Sequence, residues 1–165
     1  MKSELDMNSA LVQNFKKKAD SLLGARPYNV VARTLKAISG NPHDYMSMGP
    51  YWWPNPNTEN GLPYIRRDGE INPETRTEDV YGSMCDRVFN MALAAFLFED
   101  KKYGEKAEEF LKAWHLDEET YMNPHLEYGQ SIPGICTGRG IGLIDTSGSY
   151  RIFDAIAILE YMGYI

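Results

Sequence analysis

Residues 41–76 read NPHDYMSMGPYWWPNPNTENGLPYIRRDGEINPETR, and the reading of this stretch decides how the other parts of the 165-residue chain are placed. It contains Pro42, Pro50, Pro54, Pro56, Pro63 and Pro73, six of the nine prolines in the chain. Each proline ring removes an N–H donor and pushes the preceding residue toward extended geometry, so no helix is expected here. A long loop without regular structure is uncommon inside a compact domain, and such loops are either functional or disordered. Disordered segments are poor in aromatics. This one carries Tyr45, Tyr51, Trp52, Trp53 and Tyr64, followed by Arg66, Arg67, Asp68 and Glu70. The stretch is therefore read as an ordered surface loop that presents aromatic faces and cations.

Working outward, the flanks are helical. Residues 6–23 place Val12, Phe15, Ala19, Leu22 and Leu23 on one stripe at three-and-four spacing, and Gly24 is a natural stop. On the other side, Thr77-Glu78-Asp79 offers a side-chain cap and acids suited to a helix dipole. It opens a helix over 79–98 with Val80, Met84, Val88, Met91, Ala95 and Phe98 at helical spacing. A short turn at Asp100-Lys101 leads into a helix over 101–114 with Tyr103, Ala107, Phe110, Leu111 and Trp114 on one face. So brief a connection makes the two antiparallel. Residues 115–145 form a second long Gly/Pro-rich segment, and a last helix over 147–162 turns Ile152, Phe153, Ile156, Leu159 and Met162 inward. Strand signals are weak, and Ile141 to Ile144 is too short to build a sheet. The expected class is all-α: helical hairpins with long Pro/Gly-rich loops gathered on one side.

Composition sets outer limits. The length suits one domain spanning 1–165, and a hydrophobic fraction of 43% is enough for a core. A net charge of −6 argues against nucleic acid as a partner, whereas a local pair such as Arg66-Arg67 can still set the field for an acidic ligand. No apolar run approaches the roughly 20 residues that span a bilayer, so no membrane partner is expected. The N-terminal residues lack the apolar core of a signal peptide. Cys85 and Cys136 are widely separated, and His43, His115 and His125 show no metal-ligand spacing, so neither metal nor cofactor is expected.

Two ordered blocks carry a resemblance. The first consists of His43-Asp44-Tyr45, Pro50-Tyr51-Trp52-Trp53-Pro54, Gly61-Leu62-Pro63-Tyr64, Asp68-Gly69-Glu70 and Asn72-Pro73-Glu74. The second consists of Met122-Asn123-Pro124, Tyr128, Gln130, Ile132-Pro133-Gly134, Gly138-Arg139-Gly140 and Ile144-Asp145-Thr146. Together they resemble the alginate lyase domain family of polysaccharide lyases over roughly residues 20–160. The resemblance implies an α/α toroid built of helical hairpins, cleavage of alginate or a related uronate polymer by β-elimination, and a periplasmic or secreted location. An Asn-Asn-His element that carries catalysis in the family has no counterpart in this sequence. The chain is accordingly expected to be the N-terminal portion of a larger toroid. It should expose an apolar face open to self-association, and bind oligouronates weakly without cleaving them. The alternative is a non-catalytic carbohydrate-binding or structural remnant, and a glycoside hydrolase on the same architecture is a third reading.

Cleaving a polyuronate by β-elimination requires removal of a proton next to a carboxylate whose charge has been neutralised. Arg, Asn, Gln or His donors supply the neutralisation, and a base and an acid move the protons. Tyr51, Trp53 and Tyr64 are candidate sugar platforms. Arg66 and Arg67 are candidate carboxylate forks, or else pair with Asp68 or Glu70 to brace the turn. Consecutive rings in an extended chain face opposite ways, so one ring of Tyr51-Trp52-Trp53 belongs to the core. In the second block Gln130 and Arg139 are candidate binding residues and Tyr128 and His125 candidate catalytic ones. Tyr128 and Gln130 share a face if the stretch is extended. They either grip a sugar or hold the loop together. Gly134, Gly138, Gly140 and Gly142 read as tight turns rather than a phosphate cradle. His43 reads as hydrogen-bonded to a loop carbonyl or to Asp44. Asp68, Glu70, Glu127 and Asp145 include no pair spaced for glycoside hydrolysis.

Overall fold

The computed structural model describes residues 5–75 and 80–165. Four α-helices, α1 (Ala10–Leu22), α2 (Val80–Phe98), α3 (Lys101–His115) and α4 (Tyr150–Met162), carry the core. Four short strands, β1 (Met46–Met48), β2 (Trp52–Trp53), β3 (Ile65–Arg66) and β4 (Tyr128–Ser131), lie in the two long loop segments. A single 3-10 turn spans Pro73–Thr75, and a longer 3-10 run, Gly140–Ser149, leads into α4.

Helix α2 is the axis of the molecule. Its Cys85, Val88, Met91, Ala92, Ala94 and Ala95 are fully buried, as its apolar composition on several faces requires. It packs against α1, α3 and α4. The hairpin between α2 and α3 turns through Glu99, whose φ of 53° is left-handed, and Asp100 caps α3 by accepting from the Lys102 N–H. Helix α1 starts at Ala10, later than the expected residue 6, because the Ser9 side chain accepts from the Val12 N–H and ends the non-helical lead-in there. The proposed start at Thr77-Glu78-Asp79 lies outside the described residues.

Helix α1 is tied to α3 by one buried phenol. Tyr103 is wholly buried, its hydroxyl donates to Asp20 at 2.6 Å, and Lys16 donates back to that hydroxyl at 3.3 Å. Asp20 is held below the usual carboxylate range, first by the Tyr103 bond and then by Lys16. Tyr103→Phe is expected to cost about 1–2 kcal/mol, the worth of a hydrogen bond to a partly exposed charged group, read as a lower midpoint in urea with an unchanged slope.

Three expectations are corrected. The fold is not all-α: β1 pairs with β4 in parallel, Met46 opposite Tyr128 and Met48 opposite Ser131, and β2 pairs with β3 antiparallel. Local pattern could not reveal the first sheet, because its partners lie in separate loops and each strand is only three or four residues long. Nor do the helices form a ring of hairpins, since three of them gather around α2 rather than following one another side by side. The α/α toroid is therefore set aside. On α4, Ile152, Ala155 and Leu159 face the core, but Phe153 is 69% exposed. It stands one residue, about 100° of helix rotation, round from Ile152 and so misses the buried stripe.

Candidate functional site

The two loop segments clasp each other, and the clasp is the site. Beyond the β1–β4 pairing, the Asn123 N–H donates to the His43 carbonyl, the Gly49 N–H to Ser131, and the Tyr64 N–H to Pro133. Two glycines let the second segment fold back closely on itself. A Cβ on Gly138 would lie 1.9 Å from the Glu127 carbonyl oxygen, and one on Gly142 would lie 2.9 Å from three backbone atoms of Gly129. The glycine pattern serves close backbone packing.

Polar groups line the β1–β4 ribbon from end to end. At its start, buried Asp44 accepts from Ser39 at 2.7 Å and from Asn123 at 2.6 Å, and the His125 Nε2 stands 3.0 Å away. The Glu127 N–H faces the His125 Nδ1 at 3.4 Å, which leaves the imidazole proton on Nε2, donated to Asp44. The His125 ring meets Tyr128 edge-on, with centroids 6.0 Å apart. Both nitrogens of His125 are thus engaged, while the Tyr128 hydroxyl has no hydrogen-bond partner among the described residues. His43 is held apart from this group, its Nδ1 donating to the Tyr121 carbonyl at 2.6 Å.

The Asn123 and Ser39 bonds, with a smaller effect from His125, hold the Asp44 carboxyl below the usual range. A carboxylate lowered in the folded state contributes stability that is present above its unfolded pKa and lost as pH falls through the folded one. Asp44→Asn is therefore expected to flatten the acid limb of the pH–stability curve below about pH 4. Thermal melts of both proteins between neutral and acid pH check this, and parallel acid limbs would contradict it.

The middle of the ribbon is a network around Gln130. Its φ of 55° is left-handed, a strained conformation for this residue that persists only where its surroundings fix it. They do so on every side. The Gln130 N–H donates to the Ser47 Oγ at 2.7 Å, its Nε2 to Asp145 at 2.9 Å, and its carbonyl accepts from the Arg139 Nε at 2.7 Å. The Ser47 hydroxyl donates to Asp145 as well. Tyr128 and Gln130 are half-buried while Gly129 and Ser131 are buried, so the first two share the open face.

At the far end stands Arg139. Its Nη2 lies 3.4 Å from the Gln130 Oε1, and a Cβ on Gly49 would lie 2.7 Å from that Nη2 and 2.8 Å from the Trp52 Cδ1. Glycine at 49 thus lets guanidinium and indole close together over the end of β1. Among the described residues Arg139 has no carboxylate partner. The loop arginines differ. Arg66 pairs with Asp68 at 2.7 Å, and Arg67 reaches Glu70 at 3.7 Å while lying 5.0 Å over the Trp53 ring. The Trp53 Nε1 donates to the Glu70 carbonyl. Trp53 therefore has one face taken, and both arginines brace their own turn. Tyr51 is 40% exposed and Tyr64 half-buried along the same loop.

The structure so brings together His125, Tyr128, Gln130 and Arg139, and leaves Arg66, Arg67 and Trp53 occupied within the loop. Trp52, Asp44, Asn123, Ser47 and Asp145 were not among the candidate site residues; only the pairing of the two loops shows their place. Among the described residues no group of three or more His, Cys, Asp or Glu lies close enough to hold a metal, and no helix is long and apolar enough to cross a membrane.

An unneutralised guanidinium beside an indole and an amide is a surface suited to a carboxylate carried on a ring. Residues 30–164 match the family described as alginate lyase, and the chain belongs to that family. It is also similar to the crystal structure of an alginate lyase from Bacteroides ovatus, with a TM-score of 0.84 and 45% identity, over 93% of this chain and 43% of that one. The chain thus spans less than half the length of that structure. No curated protein matches.

Proposed function

We propose that this chain forms a uronate-binding wall of a polysaccharide lyase domain that cleaves alginate or a related uronate polymer by β-elimination. The observation that carries the reading is Arg139, half-buried, oriented by Gln130 and without a carboxylate of its own. In the reaction a base takes the proton next to the sugar carboxylate. The C–H electron pair becomes a carbon–carbon double bond, the bond to the leaving sugar oxygen breaks, and that oxygen takes a proton. Arg139 offsets the charge that builds on the carboxylate, the role in which a single donor is worth roughly 100- to 1000-fold. Trp52 and Tyr51 offer flat faces to the sugars. Tyr128, with its hydroxyl uncommitted, is the group on this chain placed to move a proton, and His125 braces it. The resemblance implies that the main catalytic element, Asn-Asn-His, lies outside this sequence. The 165 residues are therefore read as the N-terminal portion of the working domain, in a periplasmic or secreted setting.

The test is incubation with alginate and with its oligomers, following the ultraviolet absorbance of the unsaturated product alongside calorimetric binding. Oligouronate binding without an absorbance rise is expected. A rise abolished by Tyr128→Phe would move the proton transfer onto this chain. The absence of both binding and cleavage would overturn the reading.

A further inference from the structure

We propose that Asp145 is a positioning residue for Arg139 and that Gln130 is a neutral spacer between them, fixing the guanidinium while keeping it from being neutralised. The proposal rests on the uronate-site reading above. A side-chain amide has one end that only donates and one that only accepts. Asp145 takes the donating end, with Gln130 Nε2 at 2.9 Å, so Oε1 must face the other way, toward the Arg139 Nη2 at 3.4 Å. Were the carboxylate one group nearer, the two charges would pair directly, as Arg66 does with Asp68 in the neighbouring loop, and a sugar carboxylate would find no free fork. Interposing an amide passes on orientation without passing on charge.

The surrounding bonds fit this role. Ser47 donates its hydroxyl to Asp145 and accepts the Gln130 N–H at 2.7 Å, so one serine locks both carboxylate and spacer. The left-handed backbone at Gln130 aims its carbonyl at the Arg139 Nε, 2.7 Å away. Arg139 is thereby held by two uncharged oxygens of a single residue, and Asp145 makes no ion pair with it.

The experiment compares Gln130→Ala, Asp145→Asn and the double variant, with an oligomannuronate as the calorimetric probe and a crystal structure of Gln130→Ala. Gln130→Ala is expected to weaken binding about tenfold or more, with the Arg139 guanidinium moved to within about 4 Å of Asp145, the reach of an ion pair. Adding Asp145→Asn should then restore binding by about threefold or more, an antagonistic coupling between touching residues. If Gln130 and Asp145 only held the loop together, the double variant would bind no better than Gln130→Ala, and that result overturns the proposal. If the unmodified protein binds no oligouronate, the uronate reading fails by itself. The crystal structure then decides the spacer: movement of Arg139 onto Asp145 upholds it, and an unmoved guanidinium overturns it.

Discussion

Arg139→Ala is expected to weaken oligouronate binding about 10- to 150-fold, the equivalent of about 1.5–3 kcal/mol for a charge-assisted contact. Arg66→Ala and Arg67→Ala, made separately, are expected to change binding by less than about threefold, because each arginine already has an acid in its own turn. The contrast matters more than the size of either effect. All three residues are arginines, and only the geometry separates them. Titration calorimetry of the three variants with one oligouronate at low and moderate salt decides the matter. Equal losses at Arg66 and Arg139 would shift the carboxylate contact into the aromatic loop. A neutral oligosaccharide serves as the control, and its affinity should not respond to any of the three changes.

The second large effect is on stability. Gly138→Ala is expected to lower stability by about 3 kcal/mol, at the upper end of overpacking costs, and Tm by about 6–12 °C. The new methyl would fall on the backbone carbonyl of Glu127, which cannot rotate away as a side chain can, and would also press on the Tyr128 Cα. Gly140, two residues on, has open space where its Cβ would stand, so Gly140→Ala is expected to be within about 0.5 kcal/mol of neutral. Paired thermal melts read both. A Gly138→Ala protein as stable as the parent would mean that residues 138–142 do not lie against residues 127–129 as described. Because the methyl would push the segment holding Arg139 away from Gln130, binding should fall together with stability at Gly138 and stay unchanged at Gly140.

Much of this molecule was legible in one dimension. The apolar spacing of Val80, Met84, Val88 and Met91 marks α2, and the brief link at Asp100 marks its hairpin with α3, because a helix buries every third or fourth residue wherever the chain goes afterwards. The two motif blocks, read together, point to the alginate lyase family that the comparisons show. Proline density marks residues 41–76 as non-helical, since proline acts through the local backbone alone.

Tertiary structure decided what spacing does not encode. β1 and β4 are joined by hydrogen bonds between residues some eighty positions apart, such as Gln130 with Ser47, and no local period announces so short a parallel pair. The same pairing sorted the arginines. Arg66, Arg67 and Arg139 are alike candidates in the sequence, yet Asp68 and Glu70 fold back onto the first two, while Arg139, in a glycine-rich run with no aromatic neighbour in sequence, comes up beside Trp52 across Gly49. Whether a charge is free or spoken for depends on which acid the fold sets beside it, and that is a property of distance in space, where Coulomb attraction and hydrogen bonding act.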